Sequence, residues 1–131
     1  MTSNDIQRYS KKSISQLIKI ADVHFKKYIR ERDEGMNCIS CNSKGNQAGH
    51  YFSAGHYPEL RYSTDNVNLQ CTKCNLYLHG NLIEYRKGLI KKIGLERLER
   101  LEIVVGSFKQ KLFKWDRLSL IETILKYQSK R

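Results

Sequence analysis

The sequence lacks any run of 18 apolar residues, the length that a membrane-spanning helix requires. It also lacks a leader in which charged residues precede an apolar segment, because residues 1–10 are polar in character. These two absences argue against a membrane span and against secretion, so we expect a cytoplasmic protein with no membrane partner. No low-complexity linker divides the 131 residues, which predicts a single domain, 1–131.

Acidic residues are scarce compared with basic ones. Lys and Arg total 24 against 13 Asp and Glu, a formal net charge of +11 that attracts polyanions, nucleic acid above all. From Leu82 to Arg131 there are 13 basic and 6 acidic residues. Such charges contact phosphates rather than bases, so they predict broad, salt-sensitive DNA binding. The alternative is a set of solvated faces that only keep the protein soluble.

The four cysteines form two pairs, Cys38-Ile-Ser-Cys41 and Cys71-Thr-Lys-Cys74. Two thiolates separated by two residues can bind one metal ion from a tight turn, and two such turns complete a tetrahedral zinc site. Because sulfur would fill all four positions, the Zn²⁺ is predicted to be structural, with no place for a catalytic water. Two disulfides and four unrelated buried thiols are the alternatives. A reducing compartment disfavours the first, and the pairing disfavours the second.

Hydrophobic periodicity predicts helices on both sides of this zinc unit. Apolar residues recur at helical spacing through 13–35, where Ser13 and Gln16 can form a capping box and a glycine can end the helix. Further helices are predicted over 75–94, with a kink or break at Gly80, over 95–105 and over about 116–128. The residues expected to face inward are Leu78, Leu82, Tyr85, Leu89 and Ile93 in the second helix and Leu118, Ile121, Ile124 and Leu125 in the last.

The segment between the cysteine pairs, 47–68, has turn residues around short apolar runs and predicts two strands joined by a long loop. The expected fold is α+β and mostly helical. It comprises an N-terminal amphipathic helix at 13–35, a zinc-stabilised core at 36–94 and a basic helical region at 95–131.

Polar residues in this core follow the order of a known kind of nuclease site. Such a site needs a base that activates water and a divalent ion, Mg²⁺ or Mn²⁺, that holds the scissile phosphate and stabilises the leaving oxygen. His50 lies on the first candidate strand, Asn66 precedes the second cysteine pair, and Asn75 directly follows it. Their order is that of an HNH-type ββα-metal site.

The motifs CISC, AGHY, PELRY, DN, QCTKCN and GNLIEYR, taken in order, closely resemble the phage NinG family of lambdoid recombination proteins, also called Rap. The resemblance covers about 21–94 well and the C-terminal helices loosely. It implies a structure-specific DNA endonuclease of phage homologous recombination, which cuts Holliday junctions and D-loops in the host cytoplasm. The layout is also similar to that of phage recombination endonuclease VII, whose group resolves junctions as a dimer, so a homodimer is expected.

Carried over to this sequence, the resemblance implies that His50 is the general base and that Asn75 binds the catalytic ion. Asn66 matches the middle asparagine, which usually orients the base or ties the loop between the strands. One departure concerns the residue before the base, which is commonly an acidic metal ligand in HNH enzymes and is here Gly49. Another side chain must then complete the coordination of the ion.

Two side chains are candidates for that missing ligand. His79 lies four residues after Asn75, one helical turn on, although it could equally be a partly exposed helix residue. Asp65 is the further candidate. Neutral ligands with phosphate oxygens and water hold Mg²⁺ or Mn²⁺ weakly, so firm binding is expected only with DNA present.

The residues Ala-Gly-His-Tyr occur twice, at 48–51 and 54–57, and spacing separates the two histidines. His50 leaves room for a full loop and a return strand before Asn66, whereas His56 does not. His50 is therefore the predicted base, which takes a proton from the water that attacks the phosphorus. His56 falls in the loop beside Pro58, where a DNA contact or a plain turn residue is expected.

Five basic residues are candidate phosphate contacts. Arg61 could brace a nonbridging oxygen, although a hairpin arginine is as often a surface ion-pair partner. The others lie on the helix after the second cysteine pair: Arg86, Lys87, Lys91 and Lys92. Phe108, Phe113 and Trp115 could be wedges at a DNA branch, but aromatic residues at such spacing are more often core or dimer contacts.

Two other functions fit parts of the same sequence. A zinc-ribbon DNA-binding protein of recombination or regulation would use the same cysteines without catalysis, and the glycine at position 49 supports it. An HNH nuclease of the homing or restriction type, with sequence preference, is the third possibility, and cutting of unbranched duplex at fixed sites would reveal it.

Overall fold

The computed structural model describes residues 1–106 and 112–128. Its residues group into two compact units, the first formed by Met1–Tyr28 and Lys114–Arg131 and the second by Ile29–Phe113. The described helices and strands are α1 Ser3–Tyr9, α2 Ile14–Arg32, β1 Gln47–His50, β2 Val67–Gln70, α3 Leu82–Ile93, α4 Leu95–Val105 and α5 Arg117–Gln128. Short helical turns lie at Pro58–Leu60, of the 3-10 type, and at Lys73–Tyr77, of the π type.

This order confirms a mixed, helix-rich fold with a small two-stranded sheet. The helices predicted over 95–105 and about 116–128 correspond to α4 and α5. A single domain, and its three segments 13–35, 36–94 and 95–131, stay a prediction. None of the helices in the described parts of the chain is both long and apolar enough to cross a membrane.

The capping box predicted for α2 is present. The backbone N–H of Gln16 donates to Ser13 Oγ at 3.1 Å, and the backbone N–H of Ser13 donates to Gln16 Oε1 at 2.9 Å. These bonds satisfy donors that every helix start leaves open. In the first unit α2 buries an apolar stripe formed by Leu17, Ala21 and Phe25. The helix ends at Arg32, and Gly35 follows in the left-handed conformation with a φ of 85°.

The sequence interpretation does not include α1. Its start is a reciprocal cap in which the N–H of Asp5 donates to Thr2 Oγ1 at 3.2 Å and the N–H of Thr2 donates to Asp5 Oδ2 at 3.0 Å. The Thr-x-x-Asp spacing was the available signal. The helix has seven residues and buries Tyr9 alone among them, so hydrophobic periodicity could not indicate it.

Helix α5 confirms the predicted burial of Ile121 and Ile124 and also buries two residues that were not predicted. Its buried residues are Leu120, Ile121, Ile124 and Tyr127. The prediction that Leu118 faces inward is wrong, since that side chain is 53% exposed. The ring of Tyr127 packs edge-on against Phe25, with centroids 4.8 Å apart. This aromatic contact within the first unit turns the stripe toward Tyr127, which a pattern of Leu and Ile does not reveal.

In the second unit, β1 and β2 form the predicted antiparallel hairpin, with Gly49 paired to Asn68. Helix α3 packs on the face that these two residues share. The Tyr85 hydroxyl donates to the Gly49 carbonyl oxygen at 2.7 Å and accepts from Asn68 Nδ2 at 3.2 Å. The helix also lies close to the backbone of the first cysteine pair, because a Cβ at Gly88 would be 1.9 Å from the Ile39 carbonyl oxygen. The adjoining core contains Leu60, Tyr85, Leu89, Leu98 and Leu101.

The helix predicted over 75–94 is divided in two, and the predicted break at Gly80 is confirmed by its left-handed φ of 95°. The π-helical turn ends at Tyr77, and α3 begins at Leu82. The break moves two predicted core residues into solvent, because Leu78 and Leu82 are 44% and 46% exposed. The prediction that Leu78 and Leu82 face inward is therefore wrong, whereas Tyr85 and Leu89 are buried as predicted.

A buried charge network joins the end of α2 to β2 and α3 inside the second unit. Asp33 is 1% exposed, and its carboxylate accepts from Arg32 Nε at 2.8 Å and Lys92 Nζ at 2.7 Å. It also accepts from the Leu69 N–H at 3.0 Å. Burial raises the pKa of the Asp33 carboxyl, but the hydrogen bonds from Arg32 and Lys92 outweigh burial and leave the pKa lowered. Asp33 is therefore held as a carboxylate.

Replacing Asp33 tests this network. Asp33→Asn is expected to lower the free energy of unfolding by about 3 kcal/mol, because two partly buried cations lose their counter-charge. Since the folded pKa lies below the unfolded value, the carboxylate stabilises the fold above about pH 4, and its contribution is lost as the pH falls through the folded pKa. Urea unfolding of both proteins at several pH values measures the difference.

The matched control is Asp65→Asn, which breaks a more exposed ion pair with Arg97. That change should cost under about 1 kcal/mol. Equal losses from the two substitutions would contradict a special role for the buried network.

Candidate functional site

The four cysteines predicted to bind zinc come together in the second unit. Their Sγ atoms all lie within 4.8 Å of one another, and those of Cys41 and Cys71 are 3.6 Å apart. Sulfurs at the corners of a zinc tetrahedron with bonds of about 2.3 Å are separated by about 3.8 Å. The cluster therefore fits one Zn²⁺ ion. Among the His, Cys, Asp and Glu side chains that the structure describes, no other group of three or more converges in this way.

Hydrogen bonds shape the turns that carry these ligands. The N–H of Cys38 donates to the Ser43 carbonyl oxygen at 2.6 Å, which closes the first turn. In the second, the N–H of Cys74 donates to Cys71 Sγ at 3.4 Å, and Asn81 Nδ2 donates to Cys74 Sγ at 3.5 Å. Donors aimed at sulfur stabilise the thiolate form and orient the ligand. The surroundings of the cluster thus suit a thiolate-bound metal.

The thiols of the cluster differ in acidity. Hydrogen bonds from Ser43 lower the pKa of Cys41 to about 6, whereas burial raises the pKa of Cys74 to about 12. A bound divalent ion overrides such differences, because its charge deprotonates a coordinating thiol outright. The buried ligands therefore depend on the ion for their charge more than the exposed one does.

His50 is the last residue of β1 and is half-buried. Its Nε2 lies 2.9 Å from the carbonyl oxygen of Arg61. A carbonyl oxygen can only accept, so Nε2 carries the hydrogen, and in the neutral ring Nδ1 then carries the lone pair. The Arg61 carbonyl thus holds His50 in one tautomer and one orientation, as a general base requires.

Asn66 is fully buried and ties together the loop between the strands. Its Nδ2 donates to the carbonyl oxygens of Phe52 at 3.0 Å and Leu60 at 3.1 Å, and its Oδ1 accepts from the Phe52 N–H at 2.8 Å. These bonds fix the loop segment that ends in the Arg61 carbonyl. Asn66 therefore holds this loop in place, and its buried side chain has no surface for contact with a substrate.

Asn75 lies in the π-helical turn, beside the opposite end of β1. Its Nδ2 donates to Gln47 Oε1 at 2.7 Å, and Gln47 Nε2 donates to Thr72 Oγ1 at 3.1 Å. Because side chains alternate along a strand, Gln47 and His50 point to opposite faces of β1. The structure thus links His50 to Asn66 through the loop and places Asn75 apart from both.

The two candidate ligands for a catalytic ion lie in different surroundings from those predicted. The helix of Asn75 ends at Tyr77, and His79 follows in an exposed turn with a φ of 50°. The assumption that one helical turn joins His79 to Asn75 is therefore wrong. The role of His79 as a metal ligand stays a prediction, but helical spacing no longer supports it. Asp65 accepts from Arg97 Nε at 3.1 Å.

Nearly the whole chain matches one known family in sequence. The profile of the family described as Bacteriophage Lambda NinG protein matches residues 2–131. The chain belongs to the NinG family. Protein ninG of Escherichia phage lambda is 38% identical over 100 residues, which are 74% of this chain and 49% of that protein. Protein ninG of Salmonella phage P22 is 37% identical over 100 residues, with the same shares. This chain spans about half the length of these relatives. No solved structure gives a significant match.

In this NinG chain the predicted phosphate contacts on α3 differ in their surroundings. Two of them form ion pairs, Arg86 with Glu102 at 3.0 Å and Lys87 with Glu84 at 3.1 Å. The Lys92 side chain is 19% exposed and belongs to the Asp33 network, so the fold itself compensates its charge. Lys91 is exposed. The roles of all four, and of the Arg61 guanidinium, stay predictions.

A cleft of about 850 Å³ lies between the first cysteine pair and α3. Its lining includes Cys38, Cys41, Lys87, Lys91 and Lys92, but neither His50 nor Asn75. The size of a cleft therefore does not identify the candidate catalytic residue of this NinG chain.

Whether the three aromatic residues of the C-terminal region are core or dimer contacts or DNA wedges stays a prediction. Phe113 and Trp115 are half-buried, and Phe108 lies outside the described residues.

The glycine before the candidate base has a packing reason. A Cβ at Gly49 would lie 1.8 Å from Gln70 Oε1. Gln70 is fully buried, and its Nε2 donates to Ser40 Oγ at 2.9 Å and to the Gly80 carbonyl oxygen at 2.8 Å. The amide is thus tethered in the space that an acidic ligand at position 49 would need. Sequence reasoning missed Gln70, since its role arises only from pairing across the sheet.

Alanine at position 49 tests this packing. Gly49→Ala is expected to lower the free energy of unfolding by about 2 kcal/mol or more, because the new methyl group overlaps a tethered amide. Urea unfolding measures the change. Gly55→Ala is the matched control, since nothing lies within 4 Å of its Cβ position, and its stability should stay within about 0.5 kcal/mol. Equal stability of both variants would mean that Gln70 moves aside freely.

Proposed function

We propose that this NinG chain is a structure-specific DNA endonuclease that cuts branched DNA, such as Holliday junctions and D-loops, in phage recombination inside the host cytoplasm. The observation that carries the proposal is the 2.9 Å contact between His50 Nε2 and the Arg61 carbonyl oxygen. It orients a histidine as a base at the end of a hairpin whose other end adjoins a four-cysteine cluster. In a ββα-metal core of the HNH kind, the base likewise lies at the end of the first strand, and the second strand and a helical segment with a metal ligand follow.

The chemistry assigned to the chain is hydrolysis of a phosphodiester. His50 Nδ1 removes a proton from a water while the water oxygen forms a bond to phosphorus. The bond from phosphorus to the leaving sugar oxygen breaks, and that oxygen takes a proton from solvent. Asn66 keeps the loop closed, so that the Arg61 carbonyl stays against the imidazole throughout.

The family resemblance also implies a catalytic Mg²⁺ or Mn²⁺, which when bound would neutralise charge on the phosphate and the leaving oxygen. Such ions prefer carboxylate and other oxygen ligands. Here Asn75 could offer one amide oxygen, its Nδ2 being bonded to Gln47, and position 49 offers none. The described side chains therefore form an incomplete oxygen site, which an ion would have to complete from water and DNA phosphate.

Recognition of the substrate would rest on charge and on branch geometry. The net charge of +11 supports phosphate contacts that hold DNA without reading bases. Branched DNA deforms more easily than duplex, which gives shape specificity. Because a junction presents two symmetry-related strands, a homodimer is the expected assembly.

A zinc-stabilised DNA-binding protein without catalysis is the second candidate. The observation that favours it is Gln70, which fills the place where HNH enzymes commonly carry an acidic ligand. In that case the bond between His50 and Arg61 only closes the loop, and the function of the protein is DNA binding without cutting.

A cutting assay separates the two candidates. The purified chain is incubated with an end-labelled four-way junction, and with linear duplex of the same sequence, in Mg²⁺, Mn²⁺ or chelator. The expected result is metal-dependent nicking near the branch and intact duplex. Absence of nicks under every ion, with binding retained, would overturn the endonuclease in favour of the binding protein. Cuts at fixed sites in the duplex would instead indicate a nuclease with sequence preference.

A further inference from the structure

Five large apolar side chains stand in solvent around the turn that follows the second cysteine pair, and we call them the apolar turn. They are Leu76, Tyr77, Leu78, Leu82 and Ile83, with exposed fractions of 57, 75, 44, 46 and 77%. Single exposed apolar residues are ordinary on protein surfaces, but a patch of them indicates an interaction site. Five within eight positions, joined by one turn, form such a patch.

The backbone holds this patch outward in a costly conformation. The three residues of the turn, His79, Gly80 and Asn81, have φ values of 50°, 95° and 45°. Glycine adopts left-handed values without strain, whereas asparagine and histidine adopt them at a cost that is smaller than for other side chains. The Gly80 carbonyl oxygen accepts hydrogen bonds from the buried side chains of Ser40 and Gln70, which fix the turn from inside. Two predicted core leucines are thereby kept in solvent by a rigid support.

The surroundings of the apolar turn favour DNA over a protein partner. No Asp or Glu occurs from Cys71 to Ile83, where Lys73 is the fixed positive charge, and the acid that follows, Glu84, is paired with Lys87. The chain as a whole carries +11. Five side chains also fall short of the roughly 20–30 residues per side in a stable protein interface. The patch begins at Leu76, directly after Asn75, the residue predicted to bind the catalytic ion.

We propose that the apolar turn is a wedge that packs against nucleobases unstacked at a DNA branch, with Tyr77 stacking on a base. The proposal deepens the proposed function and rests on it, because branched DNA is what presents such bases. Apolar wedges and stacked aromatic rings contact unstacked bases without reading their sequence. Phosphate contacts alone bind duplex as well as junctions, so the wedge supplies the preference for branches.

The test uses the full chain and a four-way junction with 2-aminopurine, a fluorescent adenine analogue, at the branch point. Wild type is expected to change the fluorescence of this base and to bind the junction at least about tenfold more tightly than linear duplex. Combined Tyr77→Ser and Ile83→Ser substitutions should remove the fluorescence change and weaken junction binding about tenfold. Duplex binding should stay within about twofold. Ile103→Ser is the matched control, 72% exposed on α4, and should change neither affinity.

Three results would overturn the wedge. The first is an equal loss of affinity for junction and duplex in the double variant, and the second is no loss of affinity for either. The third is a change from dimer to monomer that leaves DNA binding intact, which would assign the patch to a contact with a second copy. The cutting assay distinguishes failure of the wedge from failure of the proposed nuclease activity. A chain that cuts nothing, but loses junction affinity in the double variant, retains the wedge and refutes the nuclease. A double variant that binds and cuts junctions normally refutes the wedge alone.

Discussion

Cys74→Ser is expected to release zinc and to unfold the second unit. The Cys74 thiol is 1% exposed, and Asn81 Nδ2 donates to its sulfur, so the ligand joins the zinc cluster to the start of α3. Zinc binding contributes on the order of 10 kcal/mol or more to the folding of small zinc modules, beyond what a domain of this size can lose. Zinc content by atomic absorption and the dispersion of amide signals in NMR spectra measure the two effects.

Ser43→Ala, in the same turn as Cys41, is the control for this substitution. It keeps all four ligands and removes only the side-chain hydrogen bond from Ser43 to the Cys41 thiol, so zinc content should be unchanged and stability should fall by about 1 kcal/mol. A chelator should unfold the wild type in the same way as the Cys74 substitution does, and added Zn²⁺ should restore it. A metal-free wild type with well-dispersed amide signals would contradict a structural zinc.

The zinc cluster could be predicted from the sequence because its information is local. Each pair of ligands sits on one tight turn, so the spacing Cys-x-x-Cys alone specifies half of the site. The hairpin and the start of α2 were predictable for the same reason. The strands are bounded by turn residues, and Ser13 and Gln16 cap the helix within four positions. Where neighbours in sequence decide the structure, the sequence pattern is sufficient.

The features that sequence reasoning missed depend on residues far apart in the chain. Gln70 requires glycine at position 49 from across the sheet. Ser40 and Gln70 fix the turn at Gly80, which turns two predicted core leucines outward. Helical periodicity assumes that a helix continues, and it carries no information about hydrogen bonds that stop it. The same holds for the candidate base, because its orientation comes from a carbonyl oxygen eleven residues further on.

His50→Gln is expected to lower the rate of junction cutting by roughly 10²–10⁴-fold, the usual contribution of a positioned general base. Glutamine can still donate a hydrogen bond to the Arg61 carbonyl, so the loop should stay closed, but its amide cannot take the proton of a water. Single-turnover cutting of a labelled junction measures the rate. Junction affinity should stay within about twofold of wild type, since phosphate contacts supply most of the binding, and zinc content should be unchanged.

His56→Gln is the matched control, because the second Ala-Gly-His-Tyr repeat has the same residues in other surroundings. His56 is exposed, and its Nδ1 lies 2.9 Å from Ser53 Oγ, a contact within the loop. Cutting by His56→Gln should stay within about threefold of wild type. A separate variant, His50→Ala, should regain activity when imidazole is added to the buffer, because the free imidazole ring can replace the missing base. If His56→Gln abolished cutting while His50→Gln did not, the catalytic role would pass to the second repeat. Loss of activity in His50→Gln together with loss of zinc or of junction binding would show that the His50 ring supports the fold and would leave no evidence for a base.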